Sequence, residues 1–281
     1  MMIDIISENI TEMSPVNKKI AAYIIDNYSE IGFYSVEKLA ELTGASTASI
    51  VRFSRKLGFK GYNELKKEIQ NEMISKLSPN EKIKMTELDR YPWKRRFQDL
   101  ARNEKDNIEG TLDNVSPEQL MLWVRAIKKA KNIYLTGFGA TKYLCKMFKY
   151  ALLSYYKKPV NILSGSVSDF SPELIHLNDK DIVIIISFPQ YSKEAEYVGK
   201  YAEDKGASVY LMTRTIDCPS YEFADDTIFC KSNSLLSSNS FVGPIAVIQI
   251  MINFLMLSEK KGNMESLNKS MEVEQDGYEY I

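Results

Sequence analysis

Residues 35–61 read SVEKLAELTGASTASIVRFSRKLGFKG, and their spacing predicts two short helices joined by a tight turn. Val36, Leu39 and Ala40 fall at i, i+3 and i+4, the pattern of a helix with one buried face. Ser35 stands where it can cap the first turn by accepting a hydrogen bond from an exposed backbone N–H. Gly44 ends the helix, because a residue without Cβ enters the left-handed region without strain. Ser46 then caps a second helix whose buried side is Ile50, Phe53 and Leu57. Ala40, Gly44 and Ile50 form the skeleton of a helix-turn-helix, with the small Ala40 where the two helices cross.

The outward face of the second helix points to a function. Ser46, Thr47, Ala48 and Ser49 are short, so the start of the helix can lie deep in the major groove of DNA. Arg52 is long enough for bidentate contact with guanine, and Arg55, Lys56 and Lys60 extend the positive charge towards phosphates. Between positions 46 and 67 six basic residues face one acidic residue, a local charge of +5 on a chain of net charge −1. A localised patch of that kind suits a polyanion. The competing reading is an ordinary helical hairpin with a solvated basic face. It requires skeleton, turn, caps and charge to coincide by accident.

Composition sets the outer limits. At 281 residues the chain is long enough for two domains. Its 44% hydrophobic and 26% charged residues are those of a soluble globular protein. Cys145, Cys218 and Cys230 are scattered and form no C-x-x-C pair, which suits thiols in a reducing cytosol. The opening MMIDIISENI lacks the features of a signal peptide. The apolar run 245–257 is too short to span a bilayer and reads as a buried helix. A cytoplasmic location follows as the expectation.

Outside the opening stretch, Ser14–Pro15 starts a helix with Val16, Ile20, Tyr23 and Ile24 on one face. Residues 62–77 give another, with Leu65, Ile69 and Met73 at four-residue steps. With a short helix ahead of them, these make an all-α domain over residues 1–77. Residues 78–92 read as a connector, and 93–111 as a helix with Phe97, Leu100 and Ile108 on one side. Ser116–Pro117–Glu118–Gln119 has the form of a capping box opening a helix to about residue 129. From residue 132 strands and helices alternate. Strands are expected at 133–136, 160–163, 181–187, 208–213 and 226–230, and a closing helix at 241–258. That order implies a parallel three-layer α/β domain. The tail after Lys260 is polar and is expected to be disordered.

In open parallel sheets, ligands bind where helix N-termini face the carboxyl ends of the strands. Two loops qualify. One is 137–141, where Gly137 and Gly139 admit close backbone approach and Thr141 offers a hydroxyl. The other is 187–192 (SFPQYS), with Ser187, Gln190 and Ser192. Together they suit an anion such as phosphate. Each glycine or serine alone would be an ordinary turn or cap residue. A dinucleotide fingerprint is excluded, because no third glycine follows in the helix, and no cofactor or metal is expected.

The stretches MSPVNKKIAAYIIDNY, VEKLAELTGASTASIVRFSRKLGFKGYNELK, NIYLTGFGAT and DIVIIISFPQYSKEAEYVGKYAEDKGASVYLMT resemble the RpiR/MurR family of bacterial transcription regulators over nearly the whole length. The resemblance implies a helix-turn-helix domain (1–77), a linker and connecting helix (78–112), a SIS domain with a flavodoxin-like five-stranded parallel sheet (113–260) and a polar tail (261–281). It implies a homodimer or higher homo-oligomer that binds double-stranded DNA at an inverted-repeat operator. It also implies a phosphosugar or related carbohydrate-derived effector, held by loops of the forms G-x-G-x-S and S-x-S-G-x-T/S. Thr141 takes the serine position of the first loop, and Ser187 and Ser192 take the outer positions of the second. Pro189 and Gln190 stand where serine and glycine are usual. The alternative is a sugar-phosphate isomerase with an accessory helical domain. That reaction needs a base such as Glu or His, and neither His176, Glu194 nor Glu196 lies in a convincing constellation. The expectation is therefore a non-enzymatic regulator.

Overall fold

The structure, a computed structural model, describes residues 6–7, 10, 13–155, 158–258 and 260–277. The short helix expected ahead of Ser14 lies largely outside the described residues. The chain divides into two compact units, Met1–Tyr91 with Leu235–Ser238, and Pro92–Ser234 with Asn239–Ile281.

The first unit is helical: α1 (Pro15–Asp26), α2 (Tyr28–Ile31), α3 (Val36–Thr43), α4 (Thr47–Lys56), α5 (Tyr62–Lys76) and α6 (Pro79–Met85). Its core gathers Ile20, Ile24, Leu39, Ala40, Ile50, Phe53, Leu65 and Ile69, one apolar stripe from each of the longer helices. Val16, expected on the buried side of α1, is half exposed; Ala21 is buried instead. The expected connector starts with structure of its own. Ser78 and Glu81 form a reciprocal capping box with Pro79 at the first helical position, which is enough to nucleate α6.

The second unit opens with α7 (Trp93–Leu112) and α8 (Pro117–Lys129). Then follow β1 (Ile133–Thr136), α9 (Thr141–Tyr155), β2 (Val160–Leu163), α10 (Val167–Leu174), β3 (Ile182–Ile186), α11 (Lys193–Asp204), β4 (Ser208–Thr213), β5 (Asp226–Phe229), α12 (Val242–Ser258) and α13 (Lys260–Gly277). The strands form one parallel sheet in the order β2-β1-β3-β4-β5. Alternation of side chains decides which helices cover which face. Ile182, Ile184 and Ile186 pack with Trp123, Phe148 and Ile248 from α8, α9 and α12. Val183 and Ile185 pack with Phe170 and Val198 from α10 and α11. Both faces of β3 are therefore buried, which is why it reads as an unbroken apolar run. Burying each such isoleucine is worth about 1.5–3 kcal/mol relative to leaving it in water.

Three expectations need correction. On α7, Phe97, Leu100 and Ile108 are exposed, and the buried residues are the polar Asn107 and Thr111. At α8, Ser116 accepts from the Gln119 N–H at 3.0 Å, but the Gln119 amide does not return the bond. It donates instead to the Asp226 carboxylate and the Thr227 carbonyl, joining Trp123 Nε1 on the same carboxylate. The polar tail is helical over Lys260–Gly277. Among the described residues, no helix is long and apolar enough to cross a membrane.

Candidate functional site

In the first unit each predicted cap and turn residue takes up its role. Ser35 Oγ accepts from the Lys38 N–H at 3.2 Å, and Ser46 Oγ accepts from the Ser49 N–H at 3.1 Å. Gly44 adopts φ +62°, and the Ala45 N–H closes the end of α3 on the Ala40 carbonyl at 3.0 Å. Ile50 and Phe53 are buried, so the opposite side of α4 must face outward. That side carries Ser46, Thr47, Ala48, Arg52, Arg55 and Lys56, all exposed, with Ser49 partly so.

The outward groups are partly organised. Ser46 and Ser49 hydroxyls lie 2.9 Å apart, and Arg52 Nη2 donates to Ser49 Oγ at 3.1 Å. Arg55 Nε donates to the Lys60 carbonyl at 3.2 Å, and the Glu64 carboxylate accepts from the Lys60 N–H. The basic face is thus a short helix followed by a turn pinned at both sides of Lys60. Glu64, the one acidic residue in the basic stretch, is spent on that turn.

In the second unit, β1 and β3 are neighbours and parallel, with Thr136 beside Ile185. The loops that follow them, 137–140 and 187–192, therefore emerge at the same edge of the sheet. A Cβ on Gly137 would meet Thr141 Oγ1 at 2.8 Å and Cys145 Sγ at 2.9 Å, so only glycine lets the loop pass this close to α9. Gly139 has φ +59° and open space around its missing side chain. Thr141 and Ser187 are buried. The Thr141 hydroxyl donates to the Phe138 carbonyl at 2.8 Å, and Ser192 Oγ accepts from the Ala195 N–H at 3.2 Å.

The two helix N-termini at this edge differ. The first turn of α11 already holds Glu194 and Glu196, which complement its dipole, whereas the first turn of α9 holds no acidic residue. An anion is better accommodated at α9. In the second loop, Gln190 has φ +71°, the one non-glycine residue with positive φ among the described residues. Burial pushes the neighbouring Tyr191 phenol up, and the Thr215 and Thr213 hydroxyls pull it partly back.

Sequence reasoning missed Asn239. Its Nδ2 donates to the Pro189 carbonyl at 3.1 Å, tying the loop after β5 to the loop after β3. The signal was the serine- and asparagine-rich run 232–240, too polar to be mere spacing after a strand. His176 is exposed beyond the end of α10. Among the described residues no group of three or more His, Cys, Asp or Glu side chains is placed to hold a metal ion.

Comparison with known proteins adds independent findings. Residues 1–76 match the helix-turn-helix domain of the rpiR family, and residues 126–252 match the SIS domain. A helix-turn-helix transcriptional regulator from Haemophilus influenzae is 28% identical over 212 residues, covering 74% of this chain and 72% of that protein. A second such regulator, from Caldanaerobacter subterraneus, is 26% identical and covers 92% of this chain and 91% of its own. Among solved structures, the sugar isomerase domain of an RpiR transcription factor from Sphaerobacter thermophilus is similar with TM-score 0.59 at 21% identity. It covers 62% of this chain and 97% of that one. The Vibrio vulnificus NanR protein complexed with ManNAc-6P is similar with TM-score 0.59 at 18% identity, covering 97% of each chain.

Proposed function

Because this chain is an rpiR-type transcription regulator, a helix-turn-helix domain joined to a SIS domain, we propose that it reads an inverted-repeat operator as a homodimer and responds to a phosphorylated sugar. It is a regulator rather than an enzyme, as are the relatives that share its helix-turn-helix domain. Ser46, Thr47, Ala48, Ser49 and Arg52 face the bases, and Arg55, Lys56 and Lys60 face phosphates. Two-fold symmetry of a dimer matches an operator with two half-sites. The protein acts in the cytoplasm, where its DNA lies.

The observation that carries the effector reading is the pairing of loops 137–141 and 187–192 on adjacent strands, beside an α9 N-terminus without acidic residues. Gly137 and Gly139 offer backbone N–H groups to the phosphate, and the Thr141 hydroxyl joins them by turning from the Phe138 carbonyl. Ser187, Gln190 and Ser192 line the opposite side and select the sugar. The phosphosugar held by the NanR protein is of the right chemical class. The test is a thermal-shift titration with ManNAc-6P and simple aldose and ketose 6-phosphates, beside the same sugars without phosphate. Stabilisation by phosphorylated forms alone supports the reading. A response to none of them, or equal responses to both forms, removes it.

A further inference from the structure

The buried side of α7 is polar, which is unusual for a helix that packs on a core. Asn107 is 1% exposed and Thr111 is fully buried, and both are spent on the loop that follows β5. Asn107 Oδ1 accepts from the Asn233 N–H at 3.0 Å, while its Nδ2 donates to the Asn233 carbonyl at 2.7 Å. Asn103 Nδ2 donates to the same carbonyl at 2.9 Å, and Thr111 Oγ1 accepts from the Lys231 N–H at 2.8 Å. The Ser240 hydroxyl donates to the Glu104 carboxylate. Four side chains on one helix face thus clasp one loop by directional bonds. Gly243 keeps the clasp tight, since a Cβ there would lie 2.8 Å from the Lys231 carbonyl.

The same loop reaches the effector edge. Ser232 Oγ donates to Asn239 Oδ1 at 3.3 Å, and the Ser240 N–H donates to the Ser232 carbonyl at 3.0 Å. Asn239 Nδ2 then donates to the Pro189 carbonyl at 3.1 Å. That carbonyl belongs to the peptide linking Pro189 to Gln190, and Gln190 is held at φ +71°. A side chain with Cβ is strained there, and a swing of the peptide that turned the carbonyl away would relieve the strain. In the arrangement the structure shows, Asn239 holds this carbonyl against that strain.

We propose that the Pro189–Gln190 peptide is a switch in the effector loop and that Asn239, Asn233 and Asn107 carry its position to α7. The inference rests on the reading of loop 187–192 as an effector loop. An occupant that contacts Gln190 biases the peptide, and Asn239 is the positioning residue that reports it. The bonds to Asn107 and Thr111 make the loop after β5 move with the helix face. Hydrogen-bonded elements with two arrangements transmit in this way because they do not deform continuously.

The test is hydrogen–deuterium exchange on the full-length chain without ligand, in which each variant cuts one end and the other end is read. Asn239→Ala removes the donor to Pro189. Asn107→Ala removes the acceptor for the Asn233 N–H and one donor to the Asn233 carbonyl, which Asn103 still bonds. The expected result is exchange faster by about tenfold at residues 107–112 in the first variant and at 190–195 in the second. Peptides from β3 and α12 serve as references and keep their protection. Loosening confined to the immediate partners of the mutated side chain, with the far end unchanged, overturns the switch. Thermal shift of the unmutated protein with ManNAc-6P is read separately. Absence of that response and of any to the aldose and ketose 6-phosphates refutes the phosphosugar reading and leaves the exchange result decisive for the coupling.

Discussion

Arg52 Nη2 donates to Ser49 Oγ at 3.1 Å, which holds the guanidinium over the start of α4. Ser49 is itself 2.9 Å from Ser46 Oγ, the cap of the helix. The long side chain is therefore partly preorganised for the base contact proposed for it. Replacing Arg52 by Ala is expected to reduce operator affinity by about 1–3 kcal/mol and relax preference at one base pair. Ser49→Ala keeps the Ser49 N–H that Ser46 caps, so it leaves the helix intact and costs about 1 kcal/mol of affinity. Fluorescence anisotropy with a selected operator measures both, and circular dichroism checks the fold. Unchanged affinity in Arg52→Ala would remove α4 from the DNA interface.

Lys60 behaves differently from Arg52, because it follows α4 on a turn pinned by Arg55 and Glu64. It is expected to meet phosphate rather than a base. Lys60→Ala should weaken binding to all sequences alike and reduce the slope of log K against log salt by about 1. A change in base preference with an unchanged slope would reverse the assignment.

Local chemistry made the first unit legible from sequence. Caps at Ser35 and Ser46 and the turn at Gly44 are short-range devices, and each acts within four residues of its own position. The strands were legible because burial on both faces leaves continuous apolar runs such as 182–186. Where reading failed, the partner was distant. The polar burial of Asn107 depends on Asn233, 126 residues away, and the diversion of Gln119 depends on Asp226, 107 residues away. Asn239 was invisible for the same reason, since its partner is a carbonyl 50 residues earlier. Periodicity assigns a face to a helix, but it does not say that polar groups will be matched there.

Gly137→Ala tests how closely the loop 137–141, proposed to hold the effector, must approach α9. The added Cβ would lie 3.0 Å from the Thr141 carbonyl carbon as well as close to Thr141 Oγ1, so backbone has to shift. Overpacking of this kind costs about 1–3 kcal/mol. Gly139→Ala is the control, as it meets no neighbour within 4 Å but retains the φ +59° strain. The expected outcome is loss of phosphosugar response in Gly137→Ala beyond that in Gly139→Ala, read by calorimetric titration at a temperature where both are folded.

Gln190→Gly releases the strain in the second loop. Occupying the left-handed region costs a residue with Cβ about 1–2 kcal/mol, and relief of that cost favours the variant. Glycine gains unfolded-state freedom worth about 0.5–1 kcal/mol, which opposes it. Relief is the larger effect, so the variant is expected to be more stable by up to about 1 kcal/mol in denaturant unfolding. Destabilisation would mean that contacts of the Gln190 side chain outweigh its strain.

Alkaline pH should destabilise both units through groups that burial keeps neutral. Desolvation raises the Cys145 thiol from 9.0 to about 12, with a backbone hydrogen bond opposing, and raises the Tyr62 phenol from 10.0 to about 12. Burial pushes the Cys230 thiol up as well. A raised folded-state value means that the unfolded chain releases the proton first as pH rises. Stability from these groups is therefore complete below about pH 9 and is lost progressively between about 9 and 12. Calorimetric melting from pH 7 to 11 should show a slope that steepens above pH 9, and Cys145→Ala should flatten it. The same burial predicts that Cys145 and Cys230 resist a thiol reagent at pH 8 until the protein is denatured, whereas their rapid labelling in the native chain would show that the core they share with Trp123 and Phe148 opens.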